Sequence, residues 1–312
     1  MASVKRYTLF PIRDHEVWKQ YQTHLSAFWT AEEVDLSLDR RDFETLKPPE
    51  QRFIKFILAF FAAADGIVNE NLAVNFINEF DEIEIKAFYS LQQFIEVIHS
   101  TVYSELIETL VADQKEQEKL FNALETFPSI KKKADWAFRY MNKDRSLAER
   151  LFAFTFVEGL QFQTSFAAIF YFKKRNLLPG LCTSNDFISR DEGLHAKFSA
   201  LMFARVNAKT NDVDAKTAQR IVREVVAVEK EFMDSALNIA LIGMNKDDMF
   251  DYIKFVADYF LTMLGFEKNY NAINPFPFMQ MISMEKRVNF FEHRPTEYQL
   301  AKKGEFSLTE DF

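Results

Sequence analysis

Two short strings decide the reading of this chain: Glu96-Val-Ile-His99 and, 96 residues further on (96 to 192), Glu192-Gly-Leu-His195. Residues three apart share a helix face, so each string can present one carboxylate oxygen and one imidazole nitrogen to the same point. Either string alone is a weak signal, since a surface glutamate beside a core histidine reads the same way. Their surroundings strengthen it. Asp65 follows the apolar run Phe53-Ile-Lys-Phe-Ile-Leu-Ala-Phe-Phe-Ala-Ala-Ala64, and Glu158 is the sole charge in the 22-residue stretch Leu151 to Phe172. A lone buried carboxylate costs several kcal/mol unless a cation or hydrogen bonds compensate it. Neither segment offers a basic partner within one turn.

The order along the chain is acid, Glu-x-x-His, acid, Glu-x-x-His: Asp65, Glu96/His99, Glu158, Glu192/His195, with offsets of 93, 96 and 96 residues between the halves. That is the pattern of a duplicated helix pair. Four helices each giving an acid, two of them adding a histidine, make the dinuclear carboxylate site of a ferritin-like bundle. Oxygen-rich ligation with two imidazoles suits iron or manganese better than a structural zinc. All three acid–glycine pairs, Asp65-Gly66, Glu158-Gly159 and Glu192-Gly193, fall on these acids. A helical glycine costs about 1 kcal/mol relative to alanine, so close helix approach or local freedom of the carboxylate is expected there. Tyr103, four residues after His99 on the same face, is placed for oxidation by such a centre; the spacing equally suits a core tyrosine with its hydroxyl satisfied.

The composition agrees with an all-α fold. The chain has 312 residues, with 7 glycines and 8 prolines, too few for the many tight turns of a β-sandwich or barrel. Helical spacing of apolar residues predicts helices at about 14–30, 48–80, 82–112, 114–126, 146–175, 185–208, 214–242 and 246–265, with breaks at Pro48-Pro49, Pro128, Pro179-Gly180 and Gly243. Leu151 to Phe172 carries glutamines and hydroxyls as well as Glu158, so it reads as a buried central helix rather than a membrane span. Basic residues number 38 against 46 acidic ones, a net charge of −8, which argues against nucleic-acid binding through a broad basic face. Cys182 is the one cysteine, which excludes a disulfide scaffold and suits a reducing compartment; no signal peptide is expected in Met1 to Phe10. The 35 phenylalanines are read as core filling.

With these residues in place, the chain resembles the small, radical-generating subunit of class I ribonucleotide reductase, in its eukaryotic and large-DNA-virus branch. The segments that carry the resemblance are Phe28-Trp-Thr-Ala-Glu-Glu-Val-Asp-Leu36, Ala64-Asp-Gly-Ile-Val-Asn-Glu-Asn-Leu72, Glu96-Val-Ile-His-Ser-Thr-Val-Tyr-Ser104, Phe156-Val-Glu-Gly159, Leu178-Pro-Gly-Leu181 and Ile188-Ser-Arg-Asp-Glu-Gly-Leu-His195. The resemblance implies two iron ions in a diferric-oxo centre, with manganese possible, held by Asp65, Glu96, His99, Glu158, Glu192 and His195. It implies that Tyr103 becomes a stable tyrosyl radical inside an apolar pocket of Phe162, Phe166 and Ile188. Asp191 precedes Glu192 but points about 100° away, a position from which it can hold the metal-binding His99 from behind. By resemblance Trp18 completes a transfer path Trp18–Asp191–His99, and Tyr298 continues it in the tail.

The same resemblance divides the chain into a radical-generating domain, 1–293, and a C-terminal tail, 294–312. Phe306, Leu308 and Phe312 stand among acids in that tail and suit docking to a large catalytic subunit. A cytoplasmic homodimer is implied, using oxygen and touching neither nucleic acid nor membrane. No phosphate-cradling glycine-rich loop is present, so nucleotide reduction is expected on the partner. Two other classes share the bundle: a ferritin-like iron-storage protein, and a diiron oxidase acting on a small organic substrate. Storage has no use for Tyr103, Trp18 or the docking tail, and an oxidase needs a substrate cavity where Phe162 and Phe166 stand.

Overall fold

A computed structural model describes residues 6–236 and 246–276. Among the described residues the chain is helical, with no strand. The elements are α1 (His15–Ser26), a 3₁₀ turn (Ala31–Glu33), α2 (Asp39–Thr45), α3 (Pro48–Asn71), a π-helical turn (Leu72–Phe76) and α4 (Ile77–Glu79). Next come α5 (Ile83–Leu110), α6 (Gln114–Phe121), α7 (Ala123–Thr126), α8 (Pro128–Met141) and α9 (Leu147–Phe156). A second π-helical turn (Val157–Gln161) joins α9 to α10 (Phe162–Lys174), followed by α11 (Pro179–Thr210), α12 (Ala215–Ala236) and α13 (Lys246–Met263).

The bundle is two helix pairs. α3 packs along α5, and α9 with α10 packs along α11; the pairs meet where α5 faces α11 and α3 faces α10. Each pair supplies one acid and one Glu-x-x-His string, so the duplication in sequence becomes two like helix pairs in space. As expected, Leu151 to Phe172 forms the buried centre, with Gln163 and Tyr171 alone half-buried. Another run, Pro48–Glu79, has the length and apolarity of a membrane span, but 56% of its most apolar window is buried in this core.

The proline breaks locate the helices but mark starts rather than stops. Pro48, Pro128 and Pro179 each begin a helix, where the missing N–H leaves nothing unpaired. Hence α8, which the sequence reading left out, begins at its supposed break, and α11 starts at Pro179 rather than 185. The first turn of α11 is tied down by Asp39, which accepts from the backbone N–H of Gly180 (2.8 Å) and Leu181 (2.7 Å). Beside it, Cys182 is 5% exposed, and burial pushes its thiol up to about 12. The break at Gly243 lies outside the described residues.

The π-helical turn that carries Glu158 is held from two sides. A methyl group on Gly159 would meet the Phe260 ring of α13 at 2.2 Å, so glycine is required for that approach. On the other side Lys133, 1% exposed, lies between the Phe60 and Phe232 rings (3.5 and 3.9 Å to their centroids). Its ammonium pairs with Glu229 at 2.8 Å and donates to the Gln161 carbonyl at 2.8 Å, and Thr164 donates to Glu229. A widened turn leaves a backbone carbonyl for an outside donor, and Lys133 fills that need.

Candidate metal centre

Six side chains converge between the four central helices: Asp65 from α3, Glu96 and His99 from α5, Glu158 from the π-helical turn, and Glu192 and His195 from α11. All six are at most 1% exposed. Ligand atoms of Asp65, Glu96 and His99 lie within 4.8 Å of one another, as do those of Glu96, Glu158, Glu192 and His195. Glu96 belongs to both groups and stands between two positions. Glu192 also reaches across, with Oε1 at 3.2 Å from Nδ1 of His99 and Oε2 at 3.2 Å from Nδ1 of His195. Nδ1 of His195 further lies 3.0 Å from Oε1 of Glu96.

The donor set fits a pair of cations. Both Asp65 oxygens, both Glu96 oxygens, Oε2 of Glu158, Oε1 of Glu192 and Nδ1 of His99 are buried without a hydrogen-bond partner. Such atoms are rare in folded proteins and want a ligand. Burial first, and then repulsion within the cluster, raises the carboxyls of Asp65 and Glu158 well above their ordinary range. Four carboxylates against two neutral imidazoles carry four negative charges, the number that two divalent cations neutralise.

Each histidine faces inward through Nδ1 and is held from behind through Nε2. For His99 the holder is Asp191, whose Oδ2 lies 3.3 Å from Nε2. Asp191 accepts as well from Nε1 of Trp29 (2.7 Å) and from Nε and Nη2 of Arg190 (3.2 and 3.1 Å). Burial alone would raise the Asp191 carboxyl, but the His99 hydrogen bond and the neighbouring positive charge hold it at about 2. It is a fixed anion that keeps the proton of His99 on Nε2 and turns Nδ1 inward. For His195 the holder is His24 of α1, Nε2 to Nε2 at 3.3 Å. Burial keeps the His24 imidazole neutral, its pKa lowered to about 3. Gln92 donates to Oε1 of Glu158 at 2.8 Å.

The indole beside Asp191 is therefore Trp29, a correction to the path through Trp18. Trp18 stacks on Tyr21 (4.8 Å between centroids, 21°) at the half-buried outer side of α1. The buried stripe of α1 runs through Val17 and His24, seven apart, and Trp18 is about 100° off it. Trp29, 2% exposed, lies in the loop after α1 and stacks over His99 (5.9 Å, 23°). It stands inside the segment Phe28 to Leu36 that carried the resemblance, though nothing in its spacing points to Asp191. His24 left a fainter trace, a histidine one heptad after Val17 on a buried stripe.

Tyr103 is 1% exposed with no partner for its hydroxyl. Burial first, then the charges of Asp65, Glu192 and Glu96, push the phenol well above its ordinary value. Its ring stacks on Phe61 (4.7 Å, 16°), a residue the sequence reading did not single out. Phe166 and Phe162 stack behind Phe61 at 5.1 and 6.0 Å, and Ile188 is fully buried. Tyr298, Phe306, Leu308 and Phe312 lie outside the described residues.

A helical bundle in which two acid and Glu-x-x-His halves close on one buried cluster defines the ferritin-like class. Within it, this chain belongs to the family of ribonucleotide reductase small chains: the model of "Ribonucleotide reductase, small chain" matches residues 6–275. It is the small chain of an oxidoreductase. The ribonucleoside-diphosphate reductase small chain of Variola virus is 50% identical over 312 residues, covering 98% of this chain and 97% of that one. Subunit M2 of Mesocricetus auratus is 50% identical over 99% of this chain and 80% of its own, and the Nicotiana tabacum small chain is 49% identical over 100% and 97%. Among solved structures, the ribonucleotide reductase Rnr4 homodimer from Saccharomyces cerevisiae superposes with a TM-score of 0.80 at 35% identity, covering 93% of this chain and 90% of that one.

Proposed function

We propose that Asp65, Glu96, His99, Glu158, Glu192 and His195 hold two iron ions, and that Tyr103 is oxidised to a stable radical whose oxidising equivalent passes to a large catalytic subunit for reduction of ribonucleotides to deoxyribonucleotides. The observation that carries this reading is the convergence of six buried ligands, with their orphaned oxygens, beside a partnerless buried tyrosine. When bound, the metal pair with oxygen supplies the one-electron oxidising power.

The protein supplies the rest. Glu96, within reach of both ligand groups, and Glu192, whose two oxygens reach both histidines, would hold the two ions in one site. Asp191 and His24 set which nitrogen of each histidine faces inward. The phenol of Tyr103 keeps its proton until it loses an electron, because burial among carboxylates disfavours the phenolate. The Phe61, Phe162 and Phe166 stack excludes water and reductants from its ring. Trp29, Asp191 and His99 form one continuous hydrogen-bonded path leading outward from the cluster.

A small chain requires a large one, and the yeast relative is a homodimer. We place the docking segment in the tail 294–312, through Phe306, Leu308 and Phe312, with Tyr298 on the transfer path and residues 1–293 as the radical-generating domain. The lone buried cysteine suits a cytoplasmic setting.

Electron paramagnetic resonance on apo-protein given ferrous iron and oxygen tests the reading. A tyrosyl signal is expected in the wild type and none in Tyr103→Phe, which should still take up metal. Metal uptake without a radical in the wild type under both iron and manganese would overturn it. Deleting the last seven residues should abolish activity with the large subunit and leave the metal spectrum unchanged.

A further inference from the structure

The shift of 96 residues that carries Glu96 onto Glu192 and His99 onto His195 also carries residue 95 onto Asp191. Asp191, the residue before Glu192, holds Nε2 of the histidine on the opposite helix. A fully symmetric site would hold His195 in the same way, through an acid before Glu96. That residue is Ile95, apolar and 1% exposed. The symmetry of the ligands therefore fails one step behind them.

His195 is not left without support. His24, itself 1% exposed, enters from α1 and sets its Nε2 3.3 Å from Nε2 of His195, the rings meeting edge-on at 4.8 Å and 72°. Phe88 packs against the other side of His24, at 5.4 Å between centroids. Nδ1 of His24 is buried without a partner. An imidazole that ligates through Nδ1 carries its proton on Nε2. Nε2 of His195 then donates, Nε2 of His24 accepts, and the proton of His24 sits on the partnerless Nδ1.

We infer that His24 is the positioning residue for His195, and that it makes the two metal positions unequal, one histidine being backed by a carboxylate and the other by a neutral imidazole. An anionic acceptor behind a ligating histidine makes the imidazole more basic and its metal bond stronger; a neutral acceptor orients the ring while adding less. The cation beside Asp65, Glu96 and His99 is thus held more tightly than the one beside Glu158, Glu192 and His195. This rests on the metal-centre reading proposed above.

The test is a titration of the full-length apo-protein with Mn²⁺ alone, free ion being counted by electron paramagnetic resonance. The wild type should take up two ions per chain in two resolved steps. His24→Leu, with its helical circular dichroism retained, should weaken the second step by about tenfold or more and leave the first unchanged. His24→Gln, whose side-chain oxygen can accept the same hydrogen bond, should stay within about threefold of the wild type, the conservative change restoring what leucine removes. Two equal steps in the wild type would overturn the inequality before any substitution is made. Equal weakening in both variants, or none in His24→Leu, would reduce His24 to core filling. A wild type that takes up no Mn²⁺ would overturn the metal-centre reading itself, and that failure is visible without the variants.

Discussion

Asp191 accepts from Trp29 and Arg190 while it holds His99, so a single carboxylate ties a loop and two helices to the centre. Trp29→Phe should keep metal loading and the fold but lower the rate of radical transfer to the large subunit at least tenfold. Trp18→Phe, on the outer side of α1, should leave that rate within about twofold, because a half-buried aromatic with no contact to Asp191 or the ligands contributes little there. Stopped-flow decay of the tyrosyl signal in the presence of partner and substrate separates the two. At this scale the ligands and the support of His99 by Asp191 were legible, and Trp29 and His24 were not. A glutamate and histidine three apart lie on one face wherever they fall in a helix, so sequence spacing carries the geometry. The contact from Trp29 to Asp191 spans 162 residues and depends on how a loop crosses α11, which no local period records.

Within single elements, two of the three acid–glycine pairs resolve in opposite ways. The expectation of close approach holds at Gly159, where Phe260 occupies the place of a side chain, and fails at Gly66, where an added methyl meets nothing within 4 Å. Gly66→Ala should stabilise the apo-protein by about 1 kcal/mol through helix propensity alone. Gly159→Ala should destabilise it by about 1–3 kcal/mol through overpacking and shift the spectrum of the loaded centre, since Glu158 moves with the turn. Thermal unfolding followed by circular dichroism reads both signs. A second element-level device is the docking of the N-terminal segment on α5. Glu84 accepts from Arg6 (2.5 Å) and from the backbone N–H of Arg13 (2.8 Å), and these bonds, against the effect of burial, bring its carboxyl from an ordinary 4.5 to about 2. A depressed carboxylate stabilises above its unfolded value and loses that contribution as pH falls through the folded one. The stability difference between wild-type and Glu84→Gln apo-protein should therefore be full above pH 4.5 and vanish towards pH 2. Helix positions came through the sequence because apolar periodicity is local. The whole of α8 and the start of α11 did not, because a proline is as compatible with a first turn as with a break.

For the whole molecule, the buried cluster makes the cations part of the fold. A ligand that binds the folded chain alone adds about 2.7 kcal/mol at a hundredfold excess over its dissociation constant. Chelation should accordingly lower the unfolding midpoint by several degrees, and Glu96→Ala, which strips a ligand from both positions, should abolish the difference between loaded and apo forms. The duplicated order of acids makes this architecture readable in the sequence, since a repeat in sequence is also a repeat in space. The unequal supports behind the two histidines were readable only on one side: Asp191 stands beside Glu192 inside the repeat, whereas His24 comes from α1, outside it. The tie between Asp39 and the first turn of α11 has a practical corollary of another kind. The chain carries a single sulfhydryl, Cys182, seated in that turn with almost no thiolate at neutral pH. Its rate of alkylation is therefore a clock for the local opening of α11, independent of any spectroscopic label. Loosening the cap with Asp39→Ala should speed that clock about fivefold, the equivalent of roughly 1 kcal/mol, well before the bundle itself comes apart.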